Sequence, residues 1–396
     1  MTASLSPGSA IASVRLSNGE VRGDVALDVW PTASLVAFDY VHFTAGFSAL
    51  EAHFPGSLKL THSSVDGPML FDGARVGASL ELQDSSFAQT VSLSGIAVEG
   101  AVFLDRSKFS HGLEMKNANV VGTVQAYSAT FGCLASCDDS LSLSLSEARI
   151  GRDLVLSDVV VQGNTQADYL GVDGNLQIER PSFAGSADFT SGTVGKYLVL
   201  ELPRLPKLGL RISQLRYGSI SNGQRQYSAA DTWQDLRRLL AGCEYSSDIY
   251  AHLEEFFHDS GEVAIADEVY VERKIQERKK LSLPAKLLNW LTFLTIGYGR
   301  HPARAFIWMA LFVAIGVAVF WSEKQMDAME PDKPQPNYSP FWYSLDLFVP
   351  IARLQAADRW APRQQRYLAW IYLRLHVLLG WVLVPLGLAA VSGLIQ

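Results

Sequence analysis

The chain repeats itself every 11 residues from Ile11 to Leu205, and a period that short admits few folds. Successive blocks run without a gap from Ile11 to Phe131, and after an eight-residue insertion, Gly132 to Asp139, they resume at Ser140. Of the 17 blocks, 16 carry an apolar fourth residue, and the sixth is apolar throughout, as at Leu16, Phe38, Leu82, Leu104, Met115, Ile178 and Leu200. The eleventh is Val, Phe, Ile or Leu everywhere except Thr32, and the ninth is mostly small, as at Ala52, Ser63, Ala74 and Ser85. Residues two apart on a strand face the same side, so positions four and six form one inward pair and nine and eleven a second. A helix needs apolar spacings of three and four, which this pattern lacks. One block cannot bury its pairs alone, but a stack of blocks can. The pattern therefore predicts a parallel β-helix over residues 11–205, with about two blocks per coil. Eleven residues leave no room for a crossover helix, which excludes a βαβ fold.

Composition narrows the rest. A net charge of −7 argues against a nucleic-acid partner. Hydrophobic residues make up 48% of the 396 and charged ones only 18%, so part of the chain needs an apolar environment. Cys133, Cys137 and Cys243 are too few for a disulfide framework and read as reduced thiols. A Cys-x-x-x-Cys pair without nearby histidines falls short of four zinc ligands, so no metal site is expected in the insertion. Met1 to Ser13 have no basic start and no apolar core, so no signal peptide is expected. Residues 1–10 read as a flexible leader.

After Leu205 the repeat stops, with Pro203 and Pro206 at the break, and residues 206–280 read as a helical cap and linker. Trp233, Leu236 and Leu240 share one helical face; Tyr250, Leu253 and Phe257 share another, ended by Gly261; Ala266, Val269 and Tyr270 belong to a third. An open solenoid end exposes backbone and apolar rungs, which calls for such a cap. The third helix ends in a basic run of Arg273, Lys274, Arg278, Lys279 and Lys280. Residues 281–300 then read as an interfacial helix around Trp290, with the basic run meeting anionic headgroups.

Ala305 to Trp321 is free of charge, and residues 303–322 are expected to span a membrane. Leu375 to Ile395 holds one histidine, His376, and residues 373–395 form a second expected span. Between them, residues 338–355 are apolar and aromatic but too short to cross, and read as a re-entrant or interfacial helix. Basic residues gather before the first span, which places the N-terminal domain in the cytoplasm of a multi-pass inner-membrane protein. Arg353, Arg359, Arg363 and Arg366 between the spans pull the other way. His376, Gly380, Leu383, Gly387 and Ala390 line one stripe of the second span, where small residues permit close packing. Asp346 is the acid within the re-entrant stretch, and an acid in lipid needs water or a partner.

Three resemblances follow from these residues. The solenoid resembles pentapeptide-repeat and related right-handed β-helix proteins, with a unit of eleven in place of five. Tyr250-x-x-Leu253 with Gly261 and Ala266 looks like one tetratricopeptide-type hairpin. The order of the three apolar segments, with the string Tyr343-Ser-Leu-Asp346, resembles the pore region of two-helix cation channels. That last resemblance implies an oligomeric pore with Ser344, Asp346, Pro350, His376, Gly380 and Gly387 as candidate lining residues. Thr295 to Gly299, Thr-Ile-Gly-Tyr-Gly, imitates a potassium filter. It stands before the first span, where a filter has no outer helix to follow, and reads as the turn leading into the membrane. The combination is similar to a bacterial family often labelled membrane-associated oxidoreductase. No G-x-G-x-x-G after a strand and no Cys-x-x-Cys supports that label, so no enzyme activity and no cofactor are expected. The functional expectations are a homo-oligomeric, channel-like effector in the bilayer controlled by its solenoid, or a membrane-tethered scaffold whose solenoid binds a protein partner.

Overall fold

The structure is a computed structural model that describes residues 13–28, 35–132, 140–202, 209–221, 229–241, 243, 245–301, 303–322, 324, 326–329, 337–349 and 358–391. The chain divides into two compact units, Met1–Ala266 and Asp267–Gln396. Cys133, Cys137, Pro203, Pro206, Pro350 and Arg353 lie outside the described residues.

The first unit is a parallel β-solenoid of about nine coils. Each coil takes two blocks: Val14 pairs with Val36, Leu80 with Val102 and Phe87 with Phe109, always 22 residues apart. Across the insertion the pairing jumps to Asn119 with Arg149 and Val124 with Leu154, so the extra eight residues leave the stack as one excursion. The inward pairs are the sequence pairs. Leu58, Leu60, Leu80, Leu82, Val102 and Leu154 are fully buried. Phenylalanines at the eleventh position stack along the axis, with ring centroids 5.0 Å apart for Phe87 and Phe109 and 5.3 Å for Phe109 and Phe131.

Two features of the coil explain the smaller positions. The eighth residue of each described block lies in the left-handed region, as at Asn18, Glu51, Asp84, Arg106, Ser128, Asp158 and Arg180. That conformation turns the chain between the two inward pairs, and it costs a non-glycine residue about 1–2 kcal/mol. The ninth residue follows the turn directly and packs inward, which is why it is small. Where it is serine it also serves the backbone. Ser63 Oγ accepts from Val41 N at 3.0 Å, Ser85 Oγ from Ser63 N at 3.1 Å and Ser107 Oγ from Ser85 N at 3.2 Å. These hydroxyls satisfy buried amides at the corner, where strand pairing is interrupted.

The solenoid does not stop at Leu205. Strands at Leu210–Arg211 and Arg216–Ser221 add to it, and Leu210, Ile212, Leu215 and Ile220 are buried. Pairing shifts from 22 to 23 residues there, Ala187 with Leu210 and Thr193 with Arg216, so one extra residue puts the block frame out of step.

Outward residues at the corners form ladders. Arg106 donates to both carboxylate oxygens of Asp84, at 2.6 and 2.7 Å, and Arg180 does the same to Asp158 at 2.9 Å. Bonding to Arg106 holds the Asp84 carboxyl below the usual carboxylate range. A carboxylate whose folded pKa is depressed stabilises the fold above its unfolded pKa, and that contribution fades as pH falls through the folded value. Asp84→Asn is therefore expected to lower the melting temperature at neutral pH. The gap to the parent protein should close in acid, below the usual carboxylate range, and thermal unfolding at several pH values checks this.

Three helices follow: α1 (Ala229–Ala241), α2 (Ser247–Asp259) and α3 (Val263–Arg278). Their buried faces are the predicted ones, Trp233, Leu236 and Leu240 on α1 and Tyr250, Leu253 and Phe257 on α2. Gly261, at φ +82°, ends the second turn of chain, with its N–H and that of Glu262 bonded back to His258 and Phe257. Cys243 donates to the Leu239 carbonyl at 3.2 Å, and burial pushes its thiol up to about 11, so it is an unreactive thiol.

The second unit is helical: α4 (Leu283–Ile296), α5 (Ala303–Val319), α6 (Pro340–Phe348) and α7 (Tyr367–Val391). A two-stranded antiparallel ribbon, Met326–Ala328 with Trp360–Pro362, ties the segments flanking α6. The last helix begins at Tyr367, six residues before the predicted start, because Tyr367 to Leu375 continue the apolar pattern through Arg374.

Candidate functional site

The helices α5, α6 and α7 pack on one another around a small polar centre. Apolar side chains on their inner faces dictate the contact: Val313, Phe348, Leu383 and Val384 form one buried cluster and Phe320, Met326, Tyr343 and Ala369 another. Between the clusters lie Ser344 and His376, both completely buried. Of the predicted pore residues these two are brought together, from helices 32 residues apart.

The hydrogen bonds determine the tautomer. A carbonyl only accepts, so His376 Nε2, 3.0 Å from Ser344 O, carries a hydrogen and donates it. Ser344 Oγ lies 3.3 Å from the same nitrogen and donates its own hydrogen to Val313 O at 2.9 Å. On the other side of the ring, Nδ1 is 3.2 Å from Tyr372 Oη, which is 3.1 Å from Phe312 O. A neutral imidazole accepts the Tyr372 hydrogen on Nδ1. An imidazolium donates to Tyr372 Oη instead, and Tyr372 then donates to Phe312 O. Every polar group is satisfied in either state, so the cluster can take up a proton without rearranging.

Glycines set the close approach. A side chain at Gly316 would strike Ser344 Oγ, and one at Gly380 would strike the Phe348 carbonyl. Gly387 sits against the flexible end of Met309. The predicted stripe of His376, Gly380, Leu383 and Gly387 is thus the buried face of α7, while the side chain of Ala390 lies outside the described residues. Asp346 is half-buried and lies two residues past Ser344, on the opposite face of α6. Sequence reasoning missed Tyr372 and Gly316. Tyr372 stands one helical turn before His376, a spacing that could have revealed it.

The outer faces of this unit are apolar. Ile307 and Leu311 on α5, and Leu368, Leu378, Trp381 and Val382 on α7, are exposed. Within the most apolar window of α7 only 28% is buried, whereas the core helix of a soluble protein is mostly covered. Tyr367–Ala389 is one helix long and apolar enough to cross a membrane; Leu283–Gly299 and Ala303–Val319 reach the same standard together but bend by 118°. The bend is the Thr295 to Gly299 string. Gly297, Tyr298 and Gly299 all have positive φ, at 55°, 58° and 92°, and Tyr298 donates to Asn289 Oδ1 at 2.7 Å. Beyond the bend α4 exposes Leu283, Leu287, Leu288 and Trp290.

Arginines between α5 and α7 are committed locally. Arg366 donates to the Val319 carbonyl at 3.2 Å, at the negative end of the α5 dipole, and Arg363 pairs with Asp327 at 3.2 Å. Among the basic run, Arg273 and Lys274 approach Glu277 at 4.0 and 2.9 Å, Arg278 lies over aromatic rings of α4, and Lys279 and Lys280 are exposed.

The solenoid carries a second candidate surface. A cleft of about 700 Å³ lies between its last coils and α2, lined by Tyr169, Thr193, Arg216, Asp248, His252 and Glu255 among others. A second of about 720 Å³, lined by Asn117, Glu147 and Arg149, adjoins it at Tyr169. Among the described residues no group of three or more His, Cys, Asp or Glu side chains is placed to hold a metal ion. Comparison of the chain with protein-family models, curated proteins and solved structures returned no match.

Proposed function

We propose that the helical unit is a two-span membrane module, with α5 and α7 crossing the bilayer and α6 held between them, and that identical subunits assemble it into a channel-like ring controlled by a cytosolic solenoid. The observation that carries this reading is α6. It has nine residues, about 14 Å of helix, too short to cross. Ser344 anchors it to α5 and His376 anchors it to α7, and Asp346 is left on its far face. The apolar outer faces of α5 and α7 support burial in lipid or against further copies. In a ring, Asp346 would recur around the axis and attract cations. The His376 cluster, tolerant of both protonation states, is suited to couple the packing of α6 to pH. Purified full-length protein in planar bilayers should conduct cations, and Asp346→Asn should lower that conductance several-fold while the particle mass stays the same.

A membrane-tethered scaffold is the second reading, favoured by the groove that Tyr169 joins on the solenoid. Intact oligomers that carry no current at any tested pH, voltage or lipid composition would leave that reading in place of the channel.

A further inference from the structure

The basic residues around α3 to α5 divide into two groups, and the division identifies a binding site. One group is spent inside the unit. Arg273, Lys274 and Arg300 crowd the ring of Tyr270, at 5.1, 5.7 and 4.6 Å from its centroid, and Arg300 pairs with Asp267 at 3.1 Å. The second group consists of Arg278 and Arg304. Arg278 lies over Trp290 at 5.6 Å and Phe293 at 5.5 Å, and Arg304 lies over Phe293 at 5.8 Å. Neither has a carboxylate within ion-pair distance among the described residues, and Arg278 Nη1 is shielded from solvent without an acceptor there.

We propose that Arg278 and Arg304, gathered around Phe293, bind the phosphodiester headgroup of an anionic glycerophospholipid. A guanidinium nitrogen taken out of water needs an anionic acceptor. A fork of N–H donors fits phosphate oxygens. Leu287, Trp290 and Leu291 on the same helix are exposed and apolar, so the surface beside the two cations suits acyl chains. Inorganic phosphate would meet the first requirement and leave the second unmet, which is why the lipid is the ligand. The inference rests on the membrane placement of this unit.

The test uses full-length protein in nanodiscs of phosphatidylcholine alone or mixed with phosphatidylglycerol. Lipid retained after extraction is counted by native mass spectrometry. Preparation in about 1 M salt shrinks the screening length to about 3 Å and removes diffuse attraction. Phosphatidylglycerol should then be retained in preference to phosphatidylcholine, and an excess of inorganic phosphate should not displace it. Arg278→Gln with Arg304→Gln should reduce retention about 30-fold, the factor expected for two lost cations. Lys279→Gln with Lys280→Gln should leave retention unchanged. Arg304→Gln alone, at an exposed position, should reduce retention about fivefold without disturbing the fold. Equal retention by the arginine variants, no preference between the two lipids, or displacement by phosphate overturns the site. Failure of the parent protein to enter nanodiscs overturns the membrane placement as well, so the two failures are distinguishable.

Discussion

Leu82→Asp, or equally Leu104→Asp, is expected to unfold the solenoid. Both side chains point into the stack, at 0% and 2% exposure, and each packs against the coil above and the coil below. The substitution removes about 2–3 kcal/mol of apolar burial and leaves a carboxylate with no partner. A total of about 5 kcal/mol or more is a large share of the stability of a domain. Because each coil touches only its neighbours, the loss also uncouples the two sides of the stack. Gln83→Lys is the control, since Gln83 is only half-buried on the outer face. Glu81 is a poorer control, because it pairs with Lys59 at 2.8 Å. Thermal unfolding of the full-length protein, followed at its β-sheet signal, should show the transition lost in the aspartate variants and kept in Gln83→Lys. Equal tolerance at both sites would refute the inward register.

The second large effect concerns α7. Gly380→Ala is expected to disrupt its packing on α6, while Gly387→Ala should be accommodated. One methyl group is added in each case, but the neighbours differ. At Gly380 the new carbon meets the backbone carbonyl of Phe348, which moves only if α6 moves. At Gly387 it meets the terminal methyl of Met309, an unbranched side chain with other rotamers available. Overpacking against backbone costs about 1–3 kcal/mol or more, and at Gly380 it also pulls Ser344 away from His376. Tryptophan-detected melting of the solubilised protein should drop sharply for Gly380→Ala and barely for Gly387→Ala. Similar shifts in the two variants would mean that the α6 contact is not the tight one.

Much of the first unit was legible before any coordinates. Positions four, six and eleven of the blocks named the buried residues one by one, and the two-block coil followed. The corner was not legible. Its left-handed eighth position holds Asn, Tyr, Glu, His, Asp, Arg, Ser, Gln and Gly in different coils, so no residue type marks it. The last coil was missed for a simpler reason, since one inserted residue is enough to hide a strict period. In the second unit the apolar segments and the short middle helix were visible, as was the stripe of small residues on α7. That the stripe is the face buried within one subunit was not.

By itself, then, the sequence determined everything that depends on a repeated local pattern: the strand pairs, their stacking at 22 residues and the helical faces of α1 and α2. A repeat states the same constraint 17 times, and a single stacking satisfies all of them. Tertiary structure alone decided that Ser344 meets His376, that Tyr372 completes their network, and that Arg278 and Arg304 share the Phe293 ring while their basic neighbours are spent on Tyr270. Those contacts join elements with no common period. They depend on how closely two helices approach and at what angle the chain bends, and backbone geometry sets both only once the whole unit has packed.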